Sequence, residues 1–170
     1  AVDAADERLA RSRTIVEEFQ QALQTELQAA LAEGGPVRAI DVCREVAPAI
    51  AARVSAESGA EVGRTALRVR NPHNAPDADA VRVLERFRAE VAAGVGAAPE
   101  HYQVHEDGSA RYMRAIVLNP PCTTCHGTSL APAVAEALSQ HYPEDRATGF
   151  EVGELRGAFV VDWPAEGHAR

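Results

Sequence analysis

Residues 122–126 read Cys-Thr-Thr-Cys-His and are followed by Gly127. Two thiols two residues apart, with a histidine directly after them, form the attachment pattern of a c-type haem. No other feature constrains the fold as much. Both thiols must reach one porphyrin edge, where they add across the vinyl groups as thioethers. His126 is then placed under the iron as its proximal ligand. Two other chemistries use paired cysteines. A thioredoxin-like dithiol belongs in a strand–helix context, whereas this motif follows the loop residues Asn119-Pro120-Pro121. A zinc site wants four ligands, and the sequence has no second Cys pair or His pair at finger spacing.

The 170 residues suit a single haem-binding domain over 1–170. Residues 1–58 read as a helical N-terminal part and 59–170 as an α+β part carrying the motif. The formal charge of −8 leaves no basic patch for phosphates, so nucleic acid is excluded as a partner. Apolar runs are too short to span a bilayer. Aromatic residues make up only 5% of the chain, so the core must be built from Ala, Val and Leu around a large cofactor. The start Ala1-Val2-Asp3-Ala4 has no charged or apolar leader; it suits a chain whose signal peptide has been removed. Covalent haem is installed after export, so the expectation is a periplasmic protein. With two of three cysteines taken by one haem c, Cys43 stays unpaired in an oxidising compartment, either buried or functional.

Periodicity predicts a helix over residues 5–33, with Val16, Phe19, Leu23, Leu27 and Leu31 on one stripe. Gly34-Gly35 and Pro36 end it. A second helix over 37–58 carries Ile40, Cys43, Ala47, Ile50 and Val54, with a kink expected at Pro48 and a stop at Gly59. A strand over 61–69 and a proline-rich loop follow. Asp77 caps a third helix over 78–93, with Val81, Leu84, Phe87 and Val91 inward. Strands over 101–106 and 109–118 flank the tight-turn pair Asp107-Gly108. A helix over 130–141, a turn at 149–153 and a strand over 155–163 complete the order. The fold class is α+β: an antiparallel sheet with helices on one face.

The iron's second axial position has several candidate occupants. Met113, the only methionine, lies on an apolar strand face and reads as core. His101 and His105 read as the wetter face of an edge strand, and His141 as a helix-terminal cation. His168 lies in the tail, and nothing in the sequence favours His73. Cys43 on its apolar stripe reads either as a buried inert thiol or, beside ferric iron, as a thiolate ligand that lowers the potential.

Longer stretches carry a resemblance. They are Ala39-Ile40-Asp41-Val42-Cys43; Gly63 to Pro72 with Asn74 and Pro76; Arg114-Ala115-Ile116 leading into the motif; and Tyr142-Pro143-Glu144-Asp145 with Gly149, Gly153, Leu155, Arg156 and Gly157. In these the chain resembles the bacterial extracytoplasmic c-type haem proteins with a PAS-like sensor fold. The resemblance implies a PAS-like sheet with N-terminal helices packed on it, and axial ligation by His126 and Cys43. Asp77-Ala78-Asp79-Ala80 departs from that family's usual aromatic and acid after Pro76. Haem propionates want arginine forks. Arg64, Arg68 and Arg70 alternate along the predicted strand and are the candidate partners, with Asn71 and Tyr142 as secondary ones.

Three functions follow from such a site. A redox or small-gas sensor would release Cys43 on reduction, bind nitric oxide or carbon monoxide, and signal to a partner protein. A periplasmic electron carrier would only exchange electrons with a redox partner. A sulfur-compound-oxidising enzyme ranks last, because no further catalytic constellation accompanies the motif.

Overall fold

The computed structural model describes residues 4–94 and 96–165; His168 lies outside them. Helix α1 (Ala4–Asp41) is two pieces joined without a loop, because Gly35 leaves helical angles at φ 69, ψ −163. Glycine tolerates that conformation, and Pro36 offers no N–H to continue the first ladder. A π-turn (Val42–Val46) follows, in which the Ala47 N–H donates five residues back to Val42 O. Helix α2 (Ala47–Ser58) has Pro48 in its first turn. Pro48 has no N–H for the Arg44 carbonyl and its ring crowds that carbonyl. The expected kink therefore takes the form of a widened turn, and Cys43 sits on it. Gly59 closes α2 in the left-handed conformation, φ 75.

Strands β1 (Glu61–Thr65), β2 (Glu100–Val104), β3 (Ala110–Val117) and β4 (Leu155–Trp163) form one antiparallel sheet in the order β1-β4-β3-β2. The Asp107-Gly108 turn closes the β2–β3 hairpin, with Gly108 at φ 80 and the Ser109 N–H donating to Asp107 Oδ1. Helix α3 (Ala78–Ala92) is capped by Asp77, which accepts from the Ala80 N–H at 2.8 Å. The short turn α4 (Thr123–His126) and helix α5 (Pro132–His141) follow β3.

The sheet is covered on both faces, which corrects the expectation of helices on one face. Tyr112, Phe159, Val161 and Trp163 pack against α1 and α2 through Val16, Phe19 and Val54. Met113, Ala115 and Ala158 point the other way, onto Ala80, Val83, Leu84 and Phe87 of α3. Strand alternation makes both layers possible. Val83 takes the core place expected of Val81, which is half-buried. Met113 is fully buried, as its strand position implies.

Strand β1 stops at Thr65 rather than continuing to Val69. The Thr65 hydroxyl donates to Asn74 O, and Val69 O turns to accept the Arg146 N–H. Arg68 and Arg70 thus lie beyond the strand and do not share a face with Arg64. Among the described residues no helix is long and apolar enough to cross a membrane.

Candidate functional site

Pro120 and Pro121 open a 3₁₀ turn (Pro120–Cys122) that runs directly into α4. Three residues along such a turn bring Cys122 and Cys125 to neighbouring positions. Cys122 packs against Leu118, Ala147 and Phe150; Cys125 packs against the cluster of Ile40, Val134, Leu138 and Tyr142. All three cysteines are half-buried free thiols. The motif is pinned from the far side of the chain. Phe150 N–H donates to His126 O and Gly149 N–H to Gly127 O, both at 2.9 Å.

His126 is held at its Nδ1, which lies 2.7 Å from Ala147 O. A carbonyl only accepts, so Nδ1 carries the proton and the Nε2 lone pair is left available. Burial and the charges of Arg156 and Arg70 push the imidazolium pKa down to about 2, so the ring is neutral at physiological pH. A neutral imidazole with one nitrogen hydrogen-bonded is the form that binds a metal. The ring of Phe150 meets the His126 ring edge-on at 6.5 Å.

Arg156, Arg70 and Arg64 act electrostatically on this histidine, and exposed Arg68 lies over its neighbour Phe150. Arg70 is buried and committed to Asp145, Cys125 O and Ala147 O. Arg68 lies over the Phe150 ring at 3.7 Å. Arg156, from β4, donates to Arg68 O at 3.2 Å and brings its Nε to 3.3 Å from His126 Nδ1. Arg64 lies 5.8 Å from the Phe19 ring centre. Among the described residues, Asp145 is the only carboxylate within ion-pair distance of any of the four. Burial first, then mutual repulsion with Arg70 and Arg64, lowers the Arg156 pKa to about 10. Burial likewise lowers that of Arg64. Arg64 and Arg156, half-buried and without a carboxylate partner among the described residues, favour an anion there.

The sequence candidates divide accordingly. Cys43 is half-buried on the π-turn, one turn after Ile40 of the cluster that holds Cys125, and its charge contributes to the shifts of Arg64, Cys125, Tyr142 and Arg156. Tyr142 is buried in the α5 cluster, and burial raises its phenol pKa. Asn71 instead caps the 3₁₀ turn Pro72–Asn74 by accepting the His73 N–H at 3.0 Å. His73 is exposed there, and His101 lies on the edge strand β2 opposite Met113. Arg156, Phe150, Asp145 and the Ala147 carbonyl were not among the candidates. Asp145 and Arg156 had a signal in the resembling stretches, and Arg156 also as one of two charges, with Asp162, in a mostly apolar strand run; a backbone carbonyl has none.

These residues can also be tested against each cofactor chemistry. Zinc does not fit: no three His, Cys, Asp or Glu side chains converge among the described residues. A reactive dithiol fits poorly, because burial raises the Cys125 pKa and disfavours the thiolate. A neutral imidazole, two thiols beside it, apolar walls and surplus guanidinium charge fit a group that is apolar, metal-centred and edged with carboxylates.

Fold and site together define an α+β protein with a four-stranded antiparallel sheet and a Cys-x-x-Cys-His turn at its end. The Tll0287-like family model matches residues 2–164, and the chain belongs to that family. Among solved structures it is similar to the crystal structure of the cyanobacterial haem-protein Tll0287. The TM-score is 0.69 at 28% identity, over 96% of this chain and 97% of that one. No curated protein matches.

Proposed function

We propose that the chain is a single-domain, PAS-like, monohaem c-type cytochrome of the periplasm that acts as a redox or small-gas sensor. Cys122 and Cys125 would hold the haem covalently, with His126 and Cys43 as axial ligands. The observation that carries this reading is that Ile40, one turn before Cys43, packs in the same apolar cluster as the motif residue Cys125, with Cys43 itself half-buried on the π-turn that follows. The solved haem-protein relative supports the cofactor. Bound there, haem supplies a one-electron ferric/ferrous couple and, with the sulfur ligand off, a position for nitric oxide or carbon monoxide.

The chain's own residues supply the rest. Ala147 O fixes the His126 tautomer. Arg64 and Arg156 offset the negative charge of a Cys43 thiolate and of the propionates. The π-turn favours a sensor over a plain carrier. Such turns are single-turn irregularities inside helices and recur at functional sites, and this one puts its cysteine on a segment outside the regular helical ladder. The output would pass through α1 and α2 to a partner protein.

Ferric absorption and EPR spectra of the protein and of Cys43→Ala test the ligation. The substitution is expected to abolish the low-spin thiolate signature; an unchanged signature removes Cys43 from the iron. Reduction followed by exposure to nitric oxide or carbon monoxide then tests the role. An adduct is expected. Fast electron exchange with no adduct makes the protein a carrier instead.

A further inference from the structure

The Ala147 carbonyl receives two donors. His126 Nδ1 lies 2.7 Å from it and Arg70 Nη2 3.2 Å. A carbonyl oxygen has two lone pairs, so both fit. The same Nη2 donates to Cys125 O at 2.6 Å, and Arg70 Nε donates to Asp145 Oδ2 at 3.1 Å. Asp145 Oδ1 accepts the Ala147 N–H at 2.8 Å. Water is nearly excluded: the Arg70 and Asp145 side chains are 7% and 10% exposed. Every side-chain hydrogen bond of this pair ends within the pair or on the two peptide segments that carry and face His126. That is not how a side chain reserved for a cofactor carboxylate is deployed.

We propose that Arg70 and Asp145 are a positioning pair that sets how much electron density His126 offers at Nε2, and through it the reduction potential of the haem. This rests on the haem reading above. A guanidinium on the Ala147 oxygen draws density from it and weakens its pull on the Nδ1 proton. The imidazole is then a poorer donor, the ferric state is less stabilised and the potential rises. Asp145 acts in the opposite sense, because its carboxylate offsets the guanidinium charge. In a dry site neither charge is screened by solvent. A purely structural clamp differs in one respect: loss of either partner would loosen the same loop, and the two losses would push the potential the same way.

Redox titration of the purified holoprotein, with EPR to confirm retained ligation, separates the two. Arg70→Gln is expected to move the ferric/ferrous equilibrium about tenfold toward ferric, or about 59 mV for a one-electron couple. Asp145→Asn is expected to move it toward ferrous by a similar factor. Arg70→Lys keeps the charge and is expected to recover most of the shift. Shifts of one sign in Arg70→Gln and Asp145→Asn, or shifts below about twofold in both, overturn the proposal. Should Arg70→Gln not fold, Asp145→Asn carries the test, and an unmoved potential in it is an overturning result. Mass spectrometry of the wild type comes first. A chain without covalent haem overturns the reading above and this one with it, an outcome distinct from haem present with unsplit potentials.

Discussion

Gly127 follows the motif histidine with φ −76 and ψ −177, angles that any residue adopts. Its requirement is spatial. A Cβ there would stand 2.5 Å from Thr123 O and 3.1 Å from Thr123 Cβ, and that carbonyl already accepts the Gly127 N–H that closes α4. Neither contact is with the far end of a flexible side chain, so the turn itself must move. Gly127→Ala is therefore expected to cost about 1–3 kcal/mol, or roughly 3–10 °C in Tm for a chain of this size. Gly63→Ala is the control, since a Cβ at Gly63 meets nothing within 4 Å. Thermal melts of the two variants check this, and equal losses would refute it.

At the scale of elements, α3 shows how one side chain can begin a helix and tie it to the sheet. Asp77 Oδ1 caps the Ala80 N–H, and its carboxylate also takes the Arg111 guanidinium, which bridges on to Asp162 of β4. The Ala80 N–H first, and Arg111 next, hold the Asp77 carboxyl below its ordinary pKa. A depressed folded pKa means a contribution that is full above the unfolded value of about 3.9. It is lost as pH falls through the folded value. Asp77→Ala is expected to cost about 1 kcal/mol at pH 7. Asp77→Asn keeps a cap but has no charge to lose, so its stability should fall less steeply than wild type between pH 5 and 2. Urea midpoints across that range decide the matter, and parallel curves would reject the electrostatic part. The cap and α3 were legible because both are local: an acid before an apolar period. So was the whole of β4, a mostly apolar run bounded by turns. The early stop of β1 was not, because it is set by Asn74 and Arg146, remote partners that no alternation pattern encodes. The site divides the same way. Cys122, Cys125 and His126 are contiguous and readable, whereas Asp145, Ala147 and Arg156 reach His126 only through the fold.

Over the whole molecule, the question is whether residues up to Ser58 and the sheet that follows are one cooperative unit. The core that joins them is continuous: Val16, Phe19 and Val54 share it with Val62, Tyr112, Phe159 and Trp163. Its polar tie spans nearly the full chain. The Trp163 indole N–H donates to Ser12 Oγ at 2.9 Å, and that hydroxyl donates to Arg8 O at 2.7 Å, with Ser12 0% exposed. The Arg11 guanidinium sits over the same indole at 4.7 Å. Ser12→Ala removes the acceptor and leaves the indole N–H buried without it, a loss of about 1–3 kcal/mol. If the helices and sheet are one unit, that loss belongs to the whole fold. Trp163 is the only tryptophan, so its emission reports the end of β4, while far-UV circular dichroism is dominated by the helices. Denaturant curves from the two probes should coincide in the wild type and shift together in Ser12→Ala. A curve that splits, with tryptophan emission changing at a lower midpoint than helicity, would mean that the N-terminal helices stand without the sheet. Motion of the Cys43 turn would then have no rigid route to the rest of the molecule. Coincident curves mean that the helices flanking Val42–Val46 and the sheet unfold as one unit, through the core that α1 and α2 share with it.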